Sequence, residues 1–220
     1  MSAHAAGLAE SSATIAAMRW PSALSMAAVA VLGTALAACS GGSAEVGRAA
    51  PREEKSPKPQ YDANGDLLRP ADYRDWEFLS AGYGMNYSPA PDSHDLFTDV
   101  FVQRWAYAEF LKSGKWPEHS MFVIDERDAE SKGSINKKGH FQTDLMGLAV
   151  EVKDSIRNPD KWSYYEFQPN ANTSESEPKG NCWSCHEQHA AVEHTFVQFS
   201  PTLKPVAKKF GTYNEAREKE

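Results

Sequence analysis

Cysteine is nearly missing from this chain: three residues in 220, at positions 39, 182 and 185. A disulfide-stapled domain needs an even set of cysteines spread through its body, so that scaffold is excluded, and the one close pair must serve another chemistry. Positive charge is also in deficit. The 23 Lys and Arg stand against 30 Asp and Glu, a formal charge of −7, and the basic residues are interleaved with acids. That balance lacks the basic stripe of a nucleic-acid-binding protein and excludes nucleic acid as a partner. The apolar stretch 23–38 is too short and too rich in alanine to be a stable membrane span. Internal repeats are absent. Only one helical segment lies between the predicted strands, which argues against a parallel βαβ architecture.

What is present begins with an export signal. Met18-Arg19-Trp20 precedes the apolar stretch, which closes on Leu36-Ala37-Ala38-Cys39. Small residues before a cysteine resemble the lipobox of bacterial lipoproteins, which implies a signal peptide over 1–38, acylation of Cys39 and a periplasmic, lipid-anchored product touching the membrane only through that anchor. An ordinary signal peptide or a short anchor helix would export the domain equally. Residues 1–17 carry no basic n-region and read as an upstream start. Residues 39–60 are a Ser, Gly, Pro and charged mixture too poor in apolar residues to fold, and read as a tether reaching about 25 Å root-mean-square. A single domain is expected over 61–213, followed by a charged tail, 214–220.

The close cysteine pair belongs to Cys182-Trp183-Ser184-Cys185-His186. Two thiols followed directly by an imidazole form the attachment site of a c-type haem. The sulfurs add to the vinyl groups as thioethers, and the adjoining imidazole can supply the proximal bond to iron. The expectation is one covalent haem c, held by Cys182 and Cys185, with His186 on the metal. A zinc site would need four ligands, and Cys39 lies far upstream. A C-x-x-C redox pair would want a surrounding βαβ unit, which is not found. Covalent haem attachment takes place outside the bacterial cytoplasmic membrane, in accord with the signal.

Along the domain, alternation of apolar and polar residues predicts strands over 97–104, 120–126, 141–153 and 162–167. Trp105, Ala108 and Leu111 share a helical face that Gly114 ends, predicting a helix over 105–112. Residues 70–79 read as a short helical or extended entry, 82–95 and 132–139 as loops, and 170–181 as a polar loop delivering the haem motif. Helices are expected over 187–193 and 201–210. The fold class is α+β, a mostly antiparallel sheet with a few short flanking helices and the haem near the C-terminus. Asp62-x-Asn64-x-Asp66 has its glycine one place too early for a calcium loop and Tyr73 at the twelfth position, so a plain turn is expected.

Candidates for a sixth iron ligand are Met85, Met121, Met146, His94, His119 and His140, with Met85 preferred because it lies in a loop. His189 and His194 follow His186 too closely to leave its side of the haem.

The order of these elements resembles the cytochrome P-460 family, which includes the cytochromes c′-beta. The resemblance is carried by Asp66-Leu67-Leu68-Arg69-Pro70 with Tyr73-Arg74 and Trp76, by 110–117, by Gly147-Leu148 with Val152-Lys153-Asp154, by Trp162, Tyr165 and Phe167, by the haem motif, and by Thr195-Phe196-Val197-Gln198. It implies an antiparallel sheet with flanking helices, pairing as a homodimer, and a five-coordinate iron open to nitric oxide, hydroxylamine or carbon monoxide. Redox conversion would also call for a redox partner protein, which the sequence does not name. Name-giving members cross-link a lysine to the haem edge; that position reads as Ile124 here, which cannot form the bond, so an ordinary haem c with an apolar distal side is expected. Lys115, Lys137 and Lys138 read as solvated charges. Glu175 and Glu177 occupy a region from which some members present a distal carboxylate, against the alternative of an exposed polar loop. The functional expectation is binding or redox conversion of small nitrogen oxides; an electron-transfer cytochrome with a sixth protein ligand, or a weak peroxidase or gas sensor, are the alternatives.

Overall fold

A computed structural model of the chain describes residues 58–85 and 94–218. The signal, Cys39 and nearly all of the tether lie outside the described residues.

Five strands form an antiparallel sheet in sequential order: β2 (Glu77–Tyr83), β3 (Phe97–Val102), β4 (Met121–Glu130), β5 (Phe141–Lys153) and β6 (Trp162–Phe167). Helix α1 (Arg104–Ser113) fills the connection between β3 and β4. Two-residue strands β1 (Leu67–Leu68) and β7 (Thr173–Ser174) pair beside the main sheet. Helices α2 (Cys182–His189) and α3 (Lys204–Phe210) complete the chain. This is the α+β, mostly antiparallel class expected.

The period-two alternation of β4 and β5 sends side chains to two covered faces. Val123, Leu148, Val150 and Val152 pack with Tyr165, Phe167, Tyr73, Trp76 and Leu67 on one side. Phe122, Val102, Trp162 and Tyr164 meet Phe110, Trp116, Val192, Val197 and Leu203 on the other. The Phe110 ring stacks on Trp116 at a centroid spacing of 4.0 Å, and Trp116 meets Phe122 edge to face at 4.7 Å. Burying each such side chain contributes about 2–3 kcal/mol. α1 stops where Gly114 adopts φ 66°, its N–H bonding back to the Phe110 carbonyl. A Cβ at Gly114 would stand 2.8 Å from the Phe210 Cβ, so glycine also allows α3 to close against this corner.

Several boundaries differ from expectation. The entry segment becomes a 3-10 turn at Tyr73–Asp75 followed by β2, because β3 supplies a hydrogen-bonding partner that local sequence cannot reveal. β4 runs on to Glu130 as one arm of a long hairpin with β5. The haem motif does not sit in the loop before a helix: it is itself the helix, Cys182–His189, and the segment after it turns back at Val192 and Thr195. Residues 214–218 of the charged tail are held to the domain: Asn214 donates to the Ala191 carbonyl and Lys208 pairs with Glu215 and Glu218. The calcium-like segment is a turn: the Asp62 carboxylate accepts the N–H groups of Asn64, Gly65 and Asp66. Among the described residues no helix is long and apolar enough to cross a membrane, and no cluster of three or more His, Cys, Asp or Glu could hold a metal ion.

Candidate haem site

Helical spacing does the first work. Within α2, Cys182, Cys185 and His186 stand at i, i+3 and i+4, so both thiols and the imidazole share one side of the helix. The thiols are free and half-buried. Burial, and then the charges of Glu166 and Glu177, push Cys182 up to about 11. A redox C-x-x-C needs the opposite, a depressed attacking thiol, which Cys182 does not provide.

His186 is fixed from three directions. The rings of Tyr164 and Phe196 flank it, each 4.5 Å away between centroids. Its Nδ1 lies 2.7 Å from the His194 carbonyl, and because a carbonyl only accepts, Nδ1 carries the proton. Nε2 is left with its lone pair free. Burial holds the imidazole down to about 4 against the opposing effect of the His194 bond, so at neutral pH it is uncharged, the form that ligates metal.

The carbonyl that holds His186 comes from an unusual turn. Val192 and Thr195 exchange both backbone hydrogen bonds, enclosing Glu193 and His194 at φ 42° and 64°. Two positive φ values in a two-residue loop are the pattern of a type I′ turn, which normally takes Asn-Gly or Gly-Gly. Left-handed backbone costs a side-chain-bearing residue on the order of 1–2 kcal/mol, so the surroundings must hold this turn in place. Thr195 Oγ1 donates to the Val192 carbonyl and accepts from the Trp116 indole. The Glu193 carboxylate lies 2.7 Å from the buried Lys153 ammonium, which also donates to the Trp116 carbonyl.

A cavity of about 290 Å³, partly open to solvent, lies between the sheet and the chain from 195 to 203. His186 lines it, and most of its wall is apolar: Leu79, Val100, Phe122, Ile124, Phe196 and Leu203. Two carboxyls face it. Glu151 Oε1 is 3.7 Å from His186 Nε2, beyond hydrogen-bonding distance, and no hydrogen bond among the described residues satisfies its carboxyl. Burial pushes Glu151 up to about 8, so Glu151 and His186 are two neutral groups at pH 7 and not an ion pair. Glu126 is raised too, by burial and by neighbouring Glu166.

The sequence-derived candidates sort cleanly. Ile124 is on the cavity wall, and no lysine lines it; Lys115, Lys137 and Lys138 are exposed. Met85 also lines the cavity. Met121 packs on the opposite face, Met146 is 40% exposed, His94 lies near Asp128, His119 near Asp154, and His140 stacks on Tyr83. Glu175 and Glu177 stand off the cavity wall: Glu175 is exposed, and Glu177 accepts from Asn181 after its backbone pairs with Tyr164. β7 and the Tyr165–Ser176 bridge carry that loop along the outer strand β6. The carboxyls facing the cavity come instead from β4 and β5. Glu151 could have been suspected from its place between Val150 and Val152, a charge within a strand that is covered on both sides.

An apolar cleft beside a neutral imidazole with a free Nε2, and two thiols on the same helix, suit a flat, largely apolar macrocycle with an iron centre. No curated protein matches the chain. The family model for cytochrome P460 matches residues 70–197, which span β2 to the turn after His194 and include every residue of the cavity wall named above except Leu203. That match covers more than half of the chain, and the chain therefore belongs to the cytochrome P460 family of haem-binding, c-type cytochromes.

Proposed function

We propose that this protein is an exported monohaem cytochrome, lipid-anchored through Cys39, that binds small nitrogen oxides at an open iron site. Cys182 and Cys185 retain the haem through thioethers, and His186 is the proximal ligand. The observation that carries the reading is His186 itself: a neutral imidazole whose Nδ1–H is committed to His194 and whose Nε2 faces an apolar cavity. The bound haem would supply an iron able to take a diatomic or hydroxylamine ligand. The chain's own contribution is the surrounding shape and polarity. Ile124, Val100 and Phe122 give the wall an apolar, uncharged stretch, which favours nitric oxide or carbon monoxide binding. Glu151 supports a second reading, redox conversion of hydroxylamine, because its buried carboxyl, ionised above its raised value of about 8, can then take a substrate proton.

Spectra of the ferrous holoprotein test this directly. A five-coordinate, high-spin form that takes up carbon monoxide and nitric oxide is expected; a six-coordinate, low-spin form that refuses both rejects the open site. In that event Met85→Ala should restore ligand uptake, since Met85 is the candidate sixth ligand on the cavity wall. His186→Ala should abolish the native axial ligation, and an unchanged spectrum removes His186 from the scheme. Turnover of hydroxylamine with an artificial electron acceptor, lost in Glu151→Gln, would favour the enzymatic reading.

A further inference from the structure

We infer that the Lys153–Glu193 ion pair is a positioning device for His186, acting through the backbone of the turn it grips. The inference rests on His186 being the iron ligand. Glu193 and His194 both occupy left-handed backbone that their side chains disfavour, and the second of them presents the carbonyl that accepts from His186 Nδ1 at 2.7 Å. Lys153 is 8% exposed, at the end of β5, with its ammonium held between the Trp116 carbonyl and the Glu193 carboxylate at 2.7 Å each. The ring of Trp162 lies 6.0 Å below it. A cation fixed to the sheet and to the segment after α1 thus holds the first residue of the turn, and the turn aims the carbonyl. Neither Lys153 nor Glu193 lines the cavity, so the pair acts on the imidazole from behind.

Released from Lys153, residue 193 would relax towards negative φ and swing the His194 carbonyl off Nδ1. A ligating imidazole that loses this acceptor becomes a weaker donor. The iron–histidine stretching band of the ferrous protein then moves to lower frequency, and the midpoint potential rises because the ferric state loses support from the ligand.

Resonance Raman spectroscopy and potentiometry on the full-length holoprotein carry the test, with Glu193→Ala, Glu193→Gly and Lys153→Met beside the parent. The lower band and higher potential are expected in Glu193→Ala and Lys153→Met. Glu193→Gly should stay near the parent, because glycine adopts the turn without being held. Equal shifts in the Ala and Gly variants would show a through-space effect of the lost charge and overturn the positioning role, and so would a parent-like band in both Ala and Met variants. If Lys153→Met does not fold, the Ala and Gly comparison at the solvent-exposed position 193 decides alone. A parent protein with no iron–histidine band would instead count against His186 as the ligand, a failure distinct from that of the clamp.

Discussion

Asp125 on β4 and Glu151 on β5 stand on adjacent strands and are almost fully buried, at 1% and 6% exposure, but they face opposite sides of the sheet. Asp125 is surrounded by partners. The Arg74 guanidinium lies 2.6 Å from one carboxylate oxygen, the Tyr73 hydroxyl donates to that oxygen at 2.9 Å, and Arg127 lies 3.1 Å from the other. Glu151 has no cation beside it: the neutral His186 is 3.7 Å away, and Tyr164 is its cross-strand neighbour on β6. The first face gives its buried carboxylate cationic and hydroxyl partners, although Trp76 Nε1 on that face has no hydrogen-bond partner. The other places two carboxyls and an imidazole around a cavity, and ionisable groups gathered at a cavity mark where a cofactor or ligand is received.

The largest effect that would break this comparison comes from Asp125→Ala. It leaves Arg127, Arg74 and the Tyr73 hydroxyl without their anion, and a stability loss of about 3–5 kcal/mol is expected in urea denaturation. Glu151→Leu should behave oppositely, unchanged or stabilised by about 1 kcal/mol in the haem-free protein, because no hydrogen bond is lost and apolar area is gained. A loss as large as that of Asp125→Ala would show that Glu151 has partners after all. Smaller still is the pH response of Glu126, whose folded value is raised by burial and by Glu166. Its protonated form is the one the fold accepts. The parent should therefore lose stability relative to Glu126→Gln as pH rises from the ordinary carboxylate value of 4.5 through the raised one, and the two should converge in acid. Denaturation series from pH 4 to 8 would show the diverging slopes.

Glu218, far from either face, should give the smallest change. Lys204 and Lys208 hold it down to about 2, so its contribution is present above 4.5 and is lost as pH falls towards 2. Glu218→Gln should remove that slight acid sensitivity, read as thermal stability between pH 2 and 5, and the effect stays small because solvent screens an exposed pair.

Much of this architecture was legible because it is local. The alternation over 141–153 and 162–167 coincides with β5 and β6, and the helical face ending at Gly114 became α1. Ile124 was read as an apolar residue at a haem-facing position, and it lies on the cavity wall. Glu175 and Glu177 show how little nearness to the motif says about direction: Glu177 lies close enough to raise the Cys182 thiol, but neither carboxylate lines the cavity. The pairing of β7 with β1 draws that loop along the outside of the sheet. Glu193 gave no signal at all, since a Glu-His turn in left-handed backbone contradicts local preference and exists only where Lys153 and Trp116 hold it.

From the chain alone comes the cofactor class, because thiol, thiol and imidazole at fixed spacing act together whatever surrounds them, with Cys182 and Cys185 as the proposed attachment residues. The strand alternation is equally local, since side-chain period follows from backbone geometry. What only the tertiary structure decided is the environment of the iron site: which carboxyls face His186, which nitrogen of that ring carries its proton, and which backbone carbonyl fixes it. Those depend on the register by which Phe122 meets Glu151, and on a turn strained against its own residues by contacts from β5 and from the segment after α1.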